Sequence, residues 1–145
     1  MSENKIIERT TLINASTAVV WETLTDPSYM KKWLFDTEVE VISDWKVGSP
    51  IIFRGKFHGR KFEDHGIIQK FEPEKLFQYT YWSWISNLPD LPENNIITAF
   101  KLISEKNNTL IQLTQSNFVA KASFEHWNFY WNVTLQIIKK IAEDH

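Results

Sequence analysis

One stretch near the end of the chain constrains the fold more than any other. Between residues 123 and 142, apolar side chains recur every three or four positions, which is the spacing of one helix face over about five turns. The apolar positions are Phe124, Trp127, Trp131, Leu135, Ile138 and Ile141. Because most of the preceding sequence has strand patterns, we expect this helix to cover one face of a sheet.

The rest of the sequence predicts one strand, two short helices and then a run of strands. Residues 5–14 alternate as a strand, and helices are expected over residues 17–24, after the capping residue Ser16, and from Asp26-Pro27 onward. Further strands are predicted over residues 37–43, 51–58, 61–71, 76–84, 95–105 and 109–117. The loop 85–94 is long and contains two prolines. Short turns between consecutive strands predict an antiparallel sheet and an α+β fold.

Turn residues predict two hairpins. Gly59-Arg60 is expected to form a two-residue type II′ loop, which would pair Arg54 with His65. One face of this hairpin is then charged, and the other is apolar except for Asp64. The apolar face holds Phe53, Phe57, Phe62, Asp64 and Ile68. A second turn is expected at Asn107-Asn108, because asparagine tolerates the positive φ of a type I′ turn.

Composition excludes several classes of function. The net charge is −2 with acidic and basic residues mixed along the chain, so neither nucleic acid nor an anionic membrane is expected as a partner. The absence of cysteine excludes disulfides and thiol chemistry. There is no signal-peptide pattern, and no apolar run approaches the ~18 residues of a membrane span. We therefore expect a cytoplasmic protein.

The sequence predicts neither a metal site nor a cofactor. His58 and His65 fall on the charged face of the first hairpin, and His126 lies beside the apolar stripe of the last helix. No two of them have the spacing of metal ligands. There is also no nucleophile elbow and no glycine-rich phosphate loop.

The chain is rich in aromatic residues, with 7 Trp, 10 Phe and 4 Tyr. One interpretation is that these rings fill an ordinary core, where most aromatic residues lie. The other is that some of them line a cavity, because their number exceeds what a plain core of this size needs. The sequence leaves both interpretations open.

Several residues on the inner face of the predicted sheet and helix are candidates for a ligand site. They are Phe53, Phe57, Asp64, Tyr79, Tyr81, Thr98, Phe100, Gln115, Trp127 and Trp131. An apolar lining with a few polar groups is typical of ligand pockets. A bulge in strand 76–84 would exchange its two faces and alter this set.

Each polar candidate also has a purely structural interpretation. Asp64 either lies in water at a strand end or bulge, or is buried with a raised pKa and is then a candidate catalytic acid or base. The hydroxyl groups of Tyr79 and Tyr81 either line a cavity or reach the surface from the core. Gln115 either contacts a ligand or only satisfies backbone groups.

Three passages resemble a known family. They are VVWETLTDPSYMKKWL at residues 19–34, the segment from Gly66 through Glu72-Pro73 to Tyr79, and ITAFKLISEKNNTLIQLTQSNF at residues 97–118. They resemble the START-like (Bet v 1-like) helix-grip superfamily, in particular its activator of heat-shock protein 90 ATPase branch. The first passage is the most specific, with Trp21, Thr25-Asp26-Pro27 and Trp33 at matching positions.

The resemblance implies a single domain over residues 1–145. In it, a curved antiparallel sheet of about six to seven strands grips the C-terminal helix around an apolar cavity. Our leading hypothesis is a binding protein for a small apolar or aromatic molecule. The first alternative is a co-chaperone that stimulates a heat-shock protein 90 type ATPase, and the second is a cyclase- or hydrolase-like enzyme. The sequence does not decide the oligomeric state.

Overall fold

A curved seven-stranded antiparallel sheet forms one layer of the molecule, and helices form the other. The computed structural model describes residues 5–34 and 39–145. The sheet order is β1-β7-β6-β5-β4-β3-β2. The elements are β1 (Ile7–Ile13), α1 (Thr17–Thr25), α2 (Pro27–Trp33), β2 (Val39–Ser43), β3 (Pro50–Phe57), β4 (Arg60–Glu72), β5 (Leu76–Tyr81), β6 (Ile96–Glu105), β7 (Asn108–Ser116) and α3 (Lys121–Glu143). The predicted α+β class is confirmed, while the predicted start of β2 at residue 37 lies outside the described residues.

The two short helices begin at the residues that the sequence indicates. The Ser16 hydroxyl accepts a hydrogen bond from the Val19 amide at 3.3 Å, and the Asp26 carboxylate accepts one from the Ser28 amide at 2.9 Å. Pro27 occupies the first turn of α2, where a missing N–H has no cost. These caps confirm both predicted helix starts.

Helix α3 buries the predicted apolar stripe against the rest of the molecule. Trp127, Trp131, Leu135 and Ile138 are buried. Polar contacts join the helix to the first strand as well. The Arg9 guanidinium donates to Asn128 Oδ1 at 2.5 Å and to Asn132 Oδ1 at 3.2 Å. The last helix is thereby held directly on β1.

The β3–β4 hairpin turns one residue earlier than predicted. Its loop is His58-Gly59, with φ values of 50° and 78°, so both residues have the positive φ of a type I′ turn. The predicted Gly59-Arg60 loop is therefore wrong, because a non-glycine residue takes the first left-handed position. Arg54 pairs with Glu63 instead of His65, and their side chains form an ion pair at 2.7 Å. The shift preserves the predicted faces, so Phe53 and Asp64 still share one face, and it makes them direct partners across the hairpin.

The β6–β7 hairpin shows the same one-residue difference. Glu105 pairs with Asn108, which leaves Lys106 and Asn107 as the loop in place of the predicted Asn107-Asn108. Lys106 has a positive φ of 59°. The predicted inward residues of this hairpin are confirmed. Thr98, Phe100, Leu102, Ile111, Leu113 and Gln115 are all buried.

Strand β5 presents the predicted face to the core, and the bulge lies in its neighbour β4. The register passes from the Ile68–Tyr79 pair to the Lys70–Gln78 pair, so Gln69 is an extra residue in β4. On β5 and just beyond it, Phe77, Tyr79, Tyr81 and Ser83 are buried.

Gly66 allows β4 and β5 to approach each other closely. A Cβ atom at this position would lie 1.7 Å from the carbonyl oxygen of Thr80, which is not a possible contact. Beyond Gly66 the two chains still pair, because His65 and Trp82 exchange backbone hydrogen bonds of 3.2 and 2.7 Å. This contact fixes Asp64 next to the chain that follows β5.

Candidate ligand-binding cleft

A cleft of about 760 Å³ opens between α3, the end of α2 and the β3–β4 hairpin. Its walls are mainly apolar and aromatic, and include Trp33, Phe57, Phe62, Trp84, Trp127 and Val133. The polar groups of its lining include Asp64, Ser83 and Thr134, and Lys32, His58 and His126 line it as well. Its size and composition are those of a small-molecule site, whose volume is typically about 300–1,000 Å³.

The Asp64 carboxyl group is buried where the cleft meets the sheet, with only 2% of the residue exposed. Its Oδ2 accepts a hydrogen bond from the Tyr81 hydroxyl, and its Oδ1 accepts one from the Trp84 amide at 3.0 Å. The Ser83 side chain also hydrogen-bonds to it. The interpretation that Asp64 lies in water at a strand end or bulge is therefore wrong.

Burial raises the pKa of Asp64, and the hydrogen bonds from Tyr81, Trp84 and Ser83 oppose this increase. Among the described residues, no lysine or arginine forms an ion pair with Asp64. A buried carboxyl group without a cationic partner is unusual, because its ionised form is costly to bury.

The two tyrosine hydroxyl groups on β5 lie inside the molecule, not at the surface. Burial, reinforced by the nearby Asp64, raises the pKa of Tyr81 far above its ordinary range. Tyr79 hydrogen-bonds with Thr98, and burial raises its pKa as well. The Thr98 hydroxyl also accepts a hydrogen bond of 3.0 Å from Gln115 Nε2. Tyr81 thus contacts Asp64 in the cleft. Tyr79 belongs with Thr98 and Gln115 to a separate hydrogen-bonded cluster in the core.

The structure divides the predicted site residues between the cleft and the core. Phe57, Asp64 and Trp127 line the cleft, and Phe57 is 49% exposed at its rim. The others are buried and do not line it. They are Phe53, Tyr79, Tyr81, Thr98, Phe100, Gln115 and Trp131.

Packed rings fill the space between the central sheet and α3. The ring centroids of Phe100 and Trp131 lie 5.6 Å apart, and those of Phe53 and Tyr81 lie 5.2 Å apart. Trp33 completes this cluster, at 6.1 Å from Phe100. Some of the aromatic rings therefore form the core and others line the cleft, while Trp33 contributes to both.

A smaller pocket of about 140 Å³ lies beside the cleft, under the loop 84–94. Ser83, His126 and Trp127 line both spaces and form the wall between them. Burial lowers the pKa of His126, which favours its neutral form.

Sequence reasoning missed several residues of the cleft. Trp84 falls at the end of the predicted β5 strand, yet its ring stacks on Phe62 with centroids 6.1 Å apart. Val133 lies off the main stripe of α3, so the spacing of that stripe does not indicate it. The sequence did contain one indication of this wall of the cleft, because α3 has apolar residues outside its buried stripe. These exposed apolar residues include Phe129, Val133 and Ile137.

Two negative findings apply to residues 5–34 and 39–145. No group of three or more His, Cys, Asp or Glu residues there is arranged to hold a metal ion. Within the same ranges, no helix combines the length and apolarity that crossing a membrane requires.

The curved sheet with one long C-terminal helix packed across it defines a helix-grip domain. Solved structures share this fold over nearly the whole chain. ChR145 from Cytophaga hutchinsonii is 35% identical, with a TM-score of 0.82 over 99% of this chain and 97% of that chain. The Aha1 dimer from Colwellia psychrerythraea is 25% identical, with a TM-score of 0.74 over 96% of each chain. NE0264 from Nitrosomonas europaea, at 17% identity and a TM-score of 0.78 over 99% of this chain and 97% of that chain, shows the fold alone.

The family follows from the sequence match. Residues 14–143 match the family described as Activator of Hsp90 ATPase homolog 1-like protein, and the chain belongs to this family. The resemblance in its opening helices and last hairpin is thereby confirmed. None of the curated proteins matches the chain significantly.

Proposed function

We propose that this protein binds a small apolar or aromatic molecule in the cleft between α3 and the β3–β4 hairpin. The observation that carries the proposal is the cleft itself, about 760 Å³ with predominantly apolar walls and a few polar groups beside them. A space of this kind lowers the free energy of an apolar ligand by removing its surface from water.

Contacts between separate parts of the fold connect the walls of the cleft. Tyr130 on α3 donates a hydrogen bond from its hydroxyl to the Leu34 carbonyl at the end of α2. On the opposite side, Phe62 and Trp84 stack on each other, and the Arg60 guanidinium lies 5.3 Å from the Trp84 ring centroid. A largely preformed site reduces the entropy lost on binding.

A fluorescence titration with N-phenylnaphthylamine, a neutral probe that brightens in apolar surroundings, tests this proposal. We expect the wild-type protein to enhance its emission, and Val133→Glu to abolish the enhancement by placing a charge in the cleft. Gln136→Glu is the matched control, because it adds the same charge at an exposed position of α3 outside the cleft. Equal enhancement by all three proteins would reject the cleft as the site.

A co-chaperone role is a second candidate. The family match supports it, and so does an exposed apolar stripe on α3 formed by Phe129, Val133 and Ile137. Phe129 is 72% exposed, so a partner could cover it without any rearrangement. Adding the protein to a purified heat-shock protein 90 type chaperone should increase its ATPase rate. Phe129→Ala should reduce that stimulation, and an unchanged ATPase rate with the wild-type protein would exclude this role.

A further inference from the structure

The Asp64 carboxyl group has hydrogen-bond donors but forms no ion pair within the described part of the chain. Its partners are the Tyr81 hydroxyl, the Trp84 amide and the Ser83 side chain. The described ion pairs all lie elsewhere. These neutral donors stabilise a negative charge on the carboxylate without cancelling it.

Holding the neighbouring chain in place does not require an acid at this position. An amide could accept the Trp84 hydrogen bond through its oxygen and donate to the Tyr81 hydroxyl through its nitrogen, and it would avoid the cost of burying a charge. A positive group placed beside a buried carboxylate favours its ionised form. Because Asp64 lines the cleft, a ligand can supply that group.

The surroundings of the carboxylate also suit a cation. Aromatic rings of Trp33, Phe62, Trp84 and Trp127 line the same cleft, and ring faces attract positive charge. The molecule already uses one of them in this way, since the Arg60 guanidinium lies over Trp84.

The basic residues around the cleft are not paired with Asp64. His65, whose charge lowers the pKa of Asp64, has its Nε2 atom 2.7 Å from the Asp90 carboxylate instead. Lys32 is exposed at the rim, and its ammonium group lies 4.9 Å from the ring centroid of Tyr29 on its own helix. His126 lines both the cleft and the smaller pocket beside it, and its neutral form is favoured because burial lowers its pKa. His58 lies exposed in the hairpin turn.

We propose that the ligand of the cleft is an apolar or aromatic amine whose positively charged nitrogen is bound by the Asp64 carboxylate. This inference rests on the proposed function and adds the chemical class of the ligand. The apolar part of the amine lies against the aromatic walls, and its nitrogen forms the ion pair that Asp64 lacks among the described residues.

Three probes of similar size and different charge test the inference. Phenylbutylamine is cationic at neutral pH, phenylbutanol is neutral and phenylbutyrate is anionic, and calorimetric titration measures each affinity directly. A charge-assisted hydrogen bond predicts that the wild-type protein binds the amine at least about tenfold more tightly than the alcohol. The carboxylate probe should bind most weakly.

Asp64→Asn removes the charge and keeps an acceptor for the Trp84 amide. In this variant the amine should lose its advantage over the alcohol. Asp44→Asn is the control, because it makes the same chemical change at an exposed position outside the cleft, and it should keep the advantage. If Asp64→Asn does not fold, the ratio of amine to alcohol affinity in the wild-type protein decides the question alone.

The possible results separate this inference from the proposed function. Equal binding of amine and alcohol by the wild-type protein, or a preference that survives in Asp64→Asn, would overturn the amine inference. Binding of N-phenylnaphthylamine with no amine preference would leave the proposed function intact. Asp64-dependent amine binding without uptake of N-phenylnaphthylamine would retain the amine site and reject the general apolar site. No binding of any probe would reject both.

Discussion

The hydroxyl group of Tyr81 donates a hydrogen bond to the buried carboxyl group of Asp64, across the boundary between β5 and β4. These two residues are 17 positions apart in the sequence. Gly66 makes their approach possible, because any larger residue there would collide with the backbone of Thr80. The environment of the Asp64 carboxyl group therefore depends on the Tyr81 hydroxyl group and on Gly66.

Removing the Tyr81 hydroxyl should raise the pKa of Asp64 further. Burial is the largest cause of the raised pKa, and the hydrogen bond from Tyr81 is the main influence opposing it. Titration of the Asp64 carboxyl carbon by NMR should therefore give a higher pKa in Tyr81→Phe than in the wild-type protein. Tyr79→Phe removes a hydroxyl that bonds to Thr98 and should leave this pKa unchanged. Identical titration curves for all three proteins would contradict the assigned hydrogen bond.

Asp64→Asn should change how stability depends on pH. The pKa of Asp64 is raised above its ordinary value of 3.8, so the folded protein holds this proton more tightly than the unfolded chain does. The contribution of Asp64 to stability is therefore complete below pH 3.8 and is lost as the pH rises through the folded-state pKa. The free energy of unfolding of Asp64→Asn, measured relative to that of wild type by urea denaturation, should increase over this range. A difference that stays constant with pH would show that the pKa of Asp64 is not raised.

Gly66→Ala should be strongly destabilising. The added Cβ would meet the Thr80 carbonyl oxygen at 1.7 Å, so the two strands would have to separate. We expect a loss of about 3 kcal/mol or more in the free energy of unfolding. Gly59→Ala is a suitable comparison, because nothing lies within 4 Å of its Cβ position and only its φ of 78° is unfavourable. Its cost should be about 1–2 kcal/mol, and equal losses in the two variants would contradict the close approach at Gly66.

Two tryptophans of the core should respond differently to replacement by phenylalanine. The Trp33 indole donates a hydrogen bond of 2.8 Å to the Thr23 carbonyl, which has no partner four residues ahead because Pro27 lacks an amide hydrogen. The Trp131 indole nitrogen is buried without a partner among the described residues. Trp33→Phe should therefore cost about 1–3 kcal/mol more than Trp131→Phe.

Chemical denaturation of the two variants measures this difference. Both rings belong to the same cluster, with centroids 6.4 Å apart, so the loss of ring volume is similar at the two sites. Trp131→Ala serves as a reference for a full cavity, at about 3–5 kcal/mol. A larger loss in Trp131→Phe than in Trp33→Phe would show that the hydrogen bond of Trp33 contributes little.

The sequence predicted the order of elements well because periodicity reports which face of an element is buried. The stripe of α3 and the inward residues of β6 and β7 follow directly from spacings of 3.6 and two residues. The turns were displaced by one residue because His58 and Lys106 adopt positive φ, which sequence preferences assign to glycine and asparagine.

The position of the cleft could not be predicted from the same patterns. Phe57 and Phe53 share one face of β3, yet the first lies at the rim of the cleft and the second is fully buried. Periodicity gives the face of a strand but not the distance along the strand at which packed rings end and open space begins. That boundary depends on α2, α3 and the loop after β5, which meet only in the folded molecule.

The hydrogen bonds from Arg9 to Asn128 and Asn132 span 119 and 123 positions of the sequence. β1 also pairs along its whole length with β7, which is the last strand. Contacts between such distant parts of a chain form late and slow the folding of a domain. During synthesis on the ribosome, β1 therefore stays unpaired until β7 has emerged, and the aromatic core stays exposed until α3 follows. The strands that form the core are thus synthesised before α3, the helix that covers them. Until α3 has been made, the apolar face of the sheet is exposed to aggregation.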